Sequence, residues 1–223
     1  MSENLEYSNI FPSLNSLSLW HKKMKHALKE WNITIEALGK GQIVAIWRKG
    51  GIEDNPNIRT PFTGFSVEQN QFVLFPTSTH QSMDKIKQEW WNLNEEKAPV
   101  NKDNQVKIKY WAEVIDTIEI ENIDQLLNIS NELINTTEHL VSSLNLYPDH
   151  KGKVLILRVH KLSDPILVPY SQDYAGCKSW VELKIDIPKI GSTPILSFKE
   201  FNAKARLIKS LIHQPVIPEK ITA

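Results

Sequence analysis

Residues 106–114 read VKIKYWAEV, a pattern that predicts a β-strand with one buried and one exposed face. A period of two places successive side chains on opposite faces of a sheet. The apolar residues in this alternation are Val106, Ile108, Tyr110, Ala112 and Val114. The chain is therefore expected to contain a sheet that packs one face against a core.

Other short apolar runs predict further strands. Residues 43–47, 72–75, 153–162, 166–168 and 181–187 are rich in β-branched, aromatic and other apolar residues. Pro76 and Pro188 are expected to end the strands that precede them, because proline cannot donate a ladder hydrogen bond.

Helices are predicted in the intervening segments. Apolar residues at three- and four-residue steps predict a helix over 20–38, although the β-branched run 33–35 also fits a strand. A second helix is expected over 82–93.

Helix-capping residues mark three more helices. Asn122 and Asn135, with Gln125 and Glu138 three residues later, predict two short helices that form a hairpin. A capping box of Ser197 and Glu200 predicts a C-terminal helix that ends before residue 215.

These elements predict an α+β fold with a mixed, mainly antiparallel β-sheet or small barrel, flanked by helices. Residues 1–18 are rich in Ser and Asn and are expected to form a flexible N-terminal arm. Residues 19–190 form the expected main domain, and 191–223 form a C-terminal helix and tail after a short Pro- and Gly-containing linker.

Composition restricts the class of protein. The 223 residues are 41% hydrophobic and 23% charged, values typical of a globular protein that needs no disulfide or metal for its core. Lys plus Arg equals Asp plus Glu, at 26 each, so any contact with nucleic acid must be local. The single Cys177 favours a reducing, cytoplasmic location. The sequence shows no signal-peptide pattern and no apolar run long enough to cross a membrane, so we expect neither secretion nor membrane spanning.

The common catalytic signatures are missing from the sequence. It has no phosphate-binding P-loop, no dinucleotide fingerprint, no zinc-protease helix motif and no serine-hydrolase elbow. The seven His residues show no close metal-ligand spacing. We therefore predict no bound metal and no cofactor.

The first polar loop that follows a predicted strand is Arg48-Lys49-Gly50-Gly51. Adjacent glycines let backbone N–H groups face a ligand, and the two cations suit a phosphate. The alternative is a solvated turn with surface charges.

The second polar loop, residues 77–81, contains Thr77, Thr79 and His80 directly after an apolar run. It suits phosphate binding, or His80 could act as a general base near neutral pH. The alternative is a helix cap with His80 exposed.

The third loop, residues 174–180, reads YAGCKSW. Cys177 is a candidate nucleophile with His80 or His160 as its base, and Lys178 beside it could lower the thiol pKa. Tyr174 and Trp180 could stack on a ligand held by Lys178 and Ser179. The alternatives are a buried, structural Cys177 and aromatic rings that belong to the core.

Several motifs in order resemble a bacterial, largely cyanobacterial family, domain of unknown function 1802. These motifs are LKEW (28–31), EALG (36–39), RKGGI (48–52), FVLFPT (72–77), HQ (80–81) and YAGCKSW (174–180). The resemblance spans roughly residues 25 to 187 and implies no activity. The order of elements is also similar to PUA-like domains, the mixed barrels of RNA-binding and modified-base-binding modules, but a fold does not fix a function.

The three loops lead to one main functional hypothesis. If they converge, they form a pocket for a nucleotide, modified base or short nucleic acid. A hydrolase or nuclease that depends on Cys177 and His80 is the enzymatic alternative, and a protein-interaction scaffold built on the helices is a third. The oligomeric state stays open.

Overall fold

The computed structural model describes residues 23–49, 65–93, 99–146 and 151–215. The predicted arm at 1–18 and the turn residues Gly50 and Gly51 lie outside these ranges. The described strands are β1 (Met24–Trp31), β2 (Ala45–Arg48), β3 (Gln71–Thr77), β4 (Gln105–Ile120), β5 (Gly152–Pro169), β6 (Trp180–Ile187) and β7 (Thr193–Pro194). The described α-helices are α1 (Asn32–Gly39), α2 (Ile123–Asn128), α3 (Thr137–Asn145) and α4 (Phe198–Ile212).

The strands of the described residues form one sheet in the order β2-β5-β4-β3-β1-β6, and β7 pairs with β5. Within those residues β1 and β3 are parallel, whereas every other strand pair is antiparallel. The prediction of an α+β fold with a mixed, mainly antiparallel sheet flanked by helices is confirmed.

The sheet curls so that two distant strands meet. β2 and β1 are separated by three strands in the sheet order, yet Arg48 on β2 lies 3.1 Å from Glu30 on β1. Two register shifts in the β4–β5 ladder, at 108–110 and at 114–116, mark bulges that bend these long strands. The result is a curled, open sheet with a seam between β2 and β1 that no pairing among the described strands closes.

The N-terminal helix prediction is wrong for its first part. Residues 24–31 form β1, and only 32–39 are helical, so the run 33–35 belongs to a helix. β1 lies between β3 and β6, and Ala27, Leu28, Lys29 and Glu30 are all buried. A strand that is covered on both faces loses the alternation that would distinguish it from a helix.

The helix expected over 82–93 is also wrong. Two short 3₁₀ helices, Met83–Lys85 and Gln88–Leu93, replace it. Between them Ile86 forms an isolated bridge with Asn135, and the flanking backbone N–H of Lys87 donates to Ile134. This pairing with a distant segment extends the chain at Ile86 and interrupts the helix.

Proline does not end the strand at residue 76. β3 continues to Thr77, and Pro76 pairs with Glu30 of β1. The β3–β4 ladder stops at Val73, so no β4 residue requires a donor from residue 76. The predicted strands at 153–162 and 166–168 likewise form one long strand, β5.

The capping predictions are mostly confirmed. The Asn122 side chain accepts a hydrogen bond from the Gln125 backbone N–H at 3.0 Å, and Ser197 and Glu200 form a capping box. The cap of α3 is Thr136, one residue after the expected Asn135.

The C-terminal helix α4 buries Phe201, Ala205, Ile208 and Ile212 in a hydrophobic cluster that also contains residues of β2 and β5. The domain boundary at residue 190 stays a prediction, but α4 shares this core with the sheet. None of the helices in the described ranges combines the length and apolar character that crossing a membrane requires.

Candidate functional site

A cleft of about 360 Å³ lies at the seam between β2 and β1. Its walls come from the end of β1, from β2, from the turn after β3, from residues 176–179 and from α3. The cleft therefore forms where segments far apart in sequence meet. This volume is at the lower end of the range for small-molecule pockets.

Lys29 fixes one wall of the cleft. It is almost fully buried, and its Nζ donates to the carbonyl oxygens of Tyr174 and Gly176 at 2.8 and 2.7 Å. Burial lowers the pKa of Lys29, an effect that the nearby Cys177 opposes and Lys178 reinforces. The two bonds hold the loop before Cys177 against β1.

Arg48 joins the two sides of the seam. Its guanidinium donates to Glu30 Oε2 at 3.1 Å and to Ser179 Oγ at 2.6 Å, and it lies over the Phe65 ring at 5.0 Å. Both members of the ion pair are largely shielded from solvent, with side-chain exposures of 17% for Arg48 and 9% for Glu30. Arg48 thus links β2 to β1 and to Ser179 through side chains, where no pairing of the described strands does so.

The turn after β3 brings His80 to the mouth of the cleft. The Thr77 hydroxyl donates to Thr79 Oγ1 at 3.0 Å, and the Trp31 indole N–H donates to the Thr79 carbonyl at 3.2 Å. His80 has a left-handed backbone conformation, with φ of 58°. Its Nε2 lies 2.9 Å from Cys177 Sγ, and both residues are exposed.

Aromatic side chains also line the cleft. Trp31 and Trp47 are partly buried, and the His139 ring lies 5.8 Å from the Trp31 ring. The Trp47 indole N–H donates to Ser143 Oγ on α3 at 2.8 Å. Burial lowers the pKa of His139, with a further contribution from Lys85, so its imidazole is neutral at pH 7.

The cleft is positively charged although the whole chain is neutral. Among the described residues its lining includes four cations, Lys29, Arg48, Lys49 and Lys178, and one carboxylate, Glu30. Lys49 is buried, which lowers its pKa, and its ammonium donates to the Leu144 carbonyl. A concave site with clustered charges of one sign focuses an electrostatic field on its interior.

Most of the predicted site residues that the structure describes line this cleft. They are Arg48, Lys49, Thr77, Thr79, His80, Cys177, Lys178 and Ser179. The convergence of the three loops therefore holds for their described residues. Cys177 is exposed, so the alternative of a buried cysteine is wrong.

The predicted stacking residues lie elsewhere. Tyr174 is 1% exposed, packs its ring against Phe75 and accepts a hydrogen bond from the Lys184 backbone N–H through its hydroxyl. Trp180 contacts the Phe72 ring and donates its indole N–H to the Ser66 carbonyl at 2.9 Å. Both rings belong to the core: Tyr174 shares a hydrophobic cluster with Val181 and Leu183 of β6, and Trp180 packs against a second cluster.

His160 is not the base that serves Cys177. It lies on β5 outside the cleft lining, and its ring stacks on Trp111 with centroids 4.0 Å apart. Among the described residues no group of three or more His, Cys, Asp or Glu could hold a metal ion.

Sequence reasoning missed Lys29, Glu30, Trp31, Trp47 and His139, all of which line the cleft. The helix predicted over 20–38 includes the first three, and charged residues of such a helix are expected to be solvated. The available signal was the pair Lys29-Glu30 between the apolar residues of ALKEW (27–31). Charged residues that are buried among apolar ones require partners, so such a pair indicates a site where other polar groups meet it.

The chain belongs to the family described as domain of unknown function (DUF1802), whose model matches residues 27–206. The sequence resemblance is thereby confirmed, and α4 falls largely within the matched range. The sequence matches no curated protein.

Solved structures similar to this chain include three of the ASCH protein of Zymomonas mobilis, each 12% identical to it. A serine-to-alanine variant covers 84% of this chain and 98% of its own, with a TM-score of 0.35. A tyrosine-to-phenylalanine variant covers 81% and 95% with a TM-score of 0.39, and a third structure covers 83% and 94% with 0.34. TM-scores this low carry no inference about function, and the PUA-like likeness stays a resemblance.

Proposed function

We propose that this protein is a small binding module that takes a nucleotide, a modified base or one residue of a short nucleic acid into the seam cleft. The observation that carries the proposal is the excess of cations over carboxylates around a cleft with aromatic walls, in a chain of zero net charge. Phosphate would supply the anion, and the base would supply a flat apolar surface.

Lys178 is the cation best placed to contact phosphate. Lys29, Arg48 and Lys49 donate to groups of the protein itself, so they mainly supply positive potential and shape. Lys178 is exposed at the mouth, beside Cys177 and Ser179. Exposed Lys and Arg side chains that meet phosphate give binding that weakens with salt.

Recognition of the base is supported by Trp31, Trp47 and His139. A base that stacks on an aromatic ring gains about 1–3 kcal/mol. The neutral imidazole of His139 has one donor and one acceptor nitrogen, which suits the edge of a base. The volume of the cleft fits one base better than an extended strand.

The test compares the four ribonucleoside 5′-monophosphates with the matching nucleosides by calorimetric titration of the full chain. We expect at least one monophosphate to bind more tightly than its nucleoside, and its Kd to rise as salt is added. Lys178→Gln should raise that Kd by roughly threefold and weaken its salt dependence.

Lys199→Gln is the matched control, since Lys199 is exposed on α4 and does not line the cleft. It should leave Kd unchanged. Equal affinity for nucleosides and monophosphates, without any effect of salt, would refute phosphate recognition.

A further inference from the structure

We propose that Cys177 and His80 form a nucleophile and base pair that transfers an acyl group from an anionic carbonyl substrate held in the seam cleft. The preference for an anionic substrate rests on the proposed function. The nucleophile and base pair depends only on the geometry of the two side chains.

The contact between the two side chains is the first argument. Cys177 Sγ lies 2.9 Å from His80 Nε2, within the distance over which a thiol gives its proton to an imidazole. The residues are 97 positions apart, so the fold and not local sequence brings them together. Both are exposed in the cleft, where the thiol fills no space in the core.

Separate contacts hold each partner in place. Lys29 binds the carbonyls of Tyr174 and Gly176 just before Cys177, and Trp31 binds the carbonyl of Thr79 just before His80. Both anchoring residues belong to β1, so one strand fixes the relative position of the pair. Catalytic groups are effective when rigid elements orient them.

Two lysines lie near the thiol. Lys29 interacts electrostatically with Cys177, and Lys178 follows it in sequence. Cysteines beside cations and a histidine are the reactive ones, because the thiolate and not the thiol is the nucleophile.

The reaction balances with water as the second substrate. His80 takes the Cys177 proton, and Sγ attacks the carbonyl carbon. The bond between that carbon and the leaving oxygen then breaks, and His80 gives the proton to the leaving oxygen. His80 then removes a proton from water, whose oxygen attacks the thioester carbon. The C–S bond breaks, a carboxylic acid leaves, and Sγ recovers its proton from His80.

Two nitrophenyl esters with the same acyl group serve as probes. 2-Nitrophenyl acetate is neutral, and 4-acetoxy-3-nitrobenzoate adds a carboxylate to the same leaving group. We expect both to acetylate Cys177, as measured by nitrophenolate release and by the mass of the peptide that contains residue 177. The anionic ester should react several-fold faster at low salt, and Lys178→Gln should reduce that advantage.

His80 variants test its role as the base. His80→Asn should slow acetylation at least about tenfold, and asparagine tolerates the left-handed backbone at this position. His80→Gly also accepts that backbone, and added imidazole should restore its rate in part. His213→Asn changes an exposed histidine outside the cleft and should have no effect. A purely structural His80 would not give imidazole rescue.

The outcomes separate this inference from the proposed function. An unmodified Cys177, or an acetylation rate that His80→Asn and His80→Gly leave unchanged, would overturn the catalytic pair even if nucleotides bind. Equal rates for both esters would instead contradict the anionic preference and leave the pair intact. Release of nitrophenol from bis(p-nitrophenyl) phosphate that requires Cys177 would overturn the assignment of a carbonyl substrate.

Discussion

The cations of the cleft differ in what they do. Lys29 and Arg48 are shielded and use their hydrogen bonds to hold β1 to the 174–179 loop and across the seam. Lys178 is exposed on the segment that these contacts hold in place, and His80 is exposed on the turn that Trp31 binds. The shielded cations therefore hold the site in its shape, and the exposed groups are the ones that can bind a ligand.

His139 provides a test of the site through pH. Burial keeps its folded-state pKa below the ordinary value of 6.5, with Lys85 acting in the same direction and Asp84 against it. The unfolded chain therefore binds this proton more readily. The contribution of neutral His139 to stability is complete above about pH 6.5 and is lost as the pH falls through the folded-state pKa.

His139→Phe keeps a ring beside Trp31 and removes the titration. Urea unfolding from about pH 7 to pH 5 should show a smaller loss of unfolding free energy in this variant than in the unmodified chain. His213→Gln, at an exposed histidine, should retain the original pH dependence. Identical slopes for His139→Phe and the unmodified chain would show that His139 is not buried as described.

Elements were predictable where local signals decide them. The alternation in β4 and the capping box of α4 depend on residues within one turn or one face, and both were read correctly. β1 was misread because its pairing with β3 and β6 buries both of its faces. The extension at Ile86 depends on Asn135, which no local pattern contains.

The capping box gives a prediction for α4. Ser197→Ala removes the acceptor for the Glu200 backbone N–H and should lower the unfolding free energy by about 1 kcal/mol. Chemical denaturation measures this as a lower midpoint with an unchanged slope. Ser210→Ala, at an exposed position within the same helix, should cause no loss because alanine favours helix interiors. Equal stability of Ser197→Ala and the unmodified chain would contradict the role of the cap.

The whole molecule explains why the site could be predicted only in part. Each polar loop was recognisable because it follows or precedes an apolar run, but the contact of Arg48 with Glu30 requires the curl of the entire sheet. His80 meets Cys177 across 97 residues because β3 ends and β6 begins on either side of the same end of β1. Trp180 is a predicted stacking residue, but Trp31 and Trp47 line the cleft instead. Packing, and not sequence pattern, decides which ring faces the cleft.

The most direct test is to measure the rate at which iodoacetamide alkylates Cys177 in the full chain at increasing concentrations of a ribonucleoside 5′-monophosphate. A ligand in the seam cleft covers the exposed thiol, so the rate should fall with a midpoint equal to the calorimetric Kd. The Lys178→Gln variant should require proportionally more nucleotide. An alkylation rate that stays constant at nucleotide concentrations that saturate binding would place the ligand elsewhere and contradict the account.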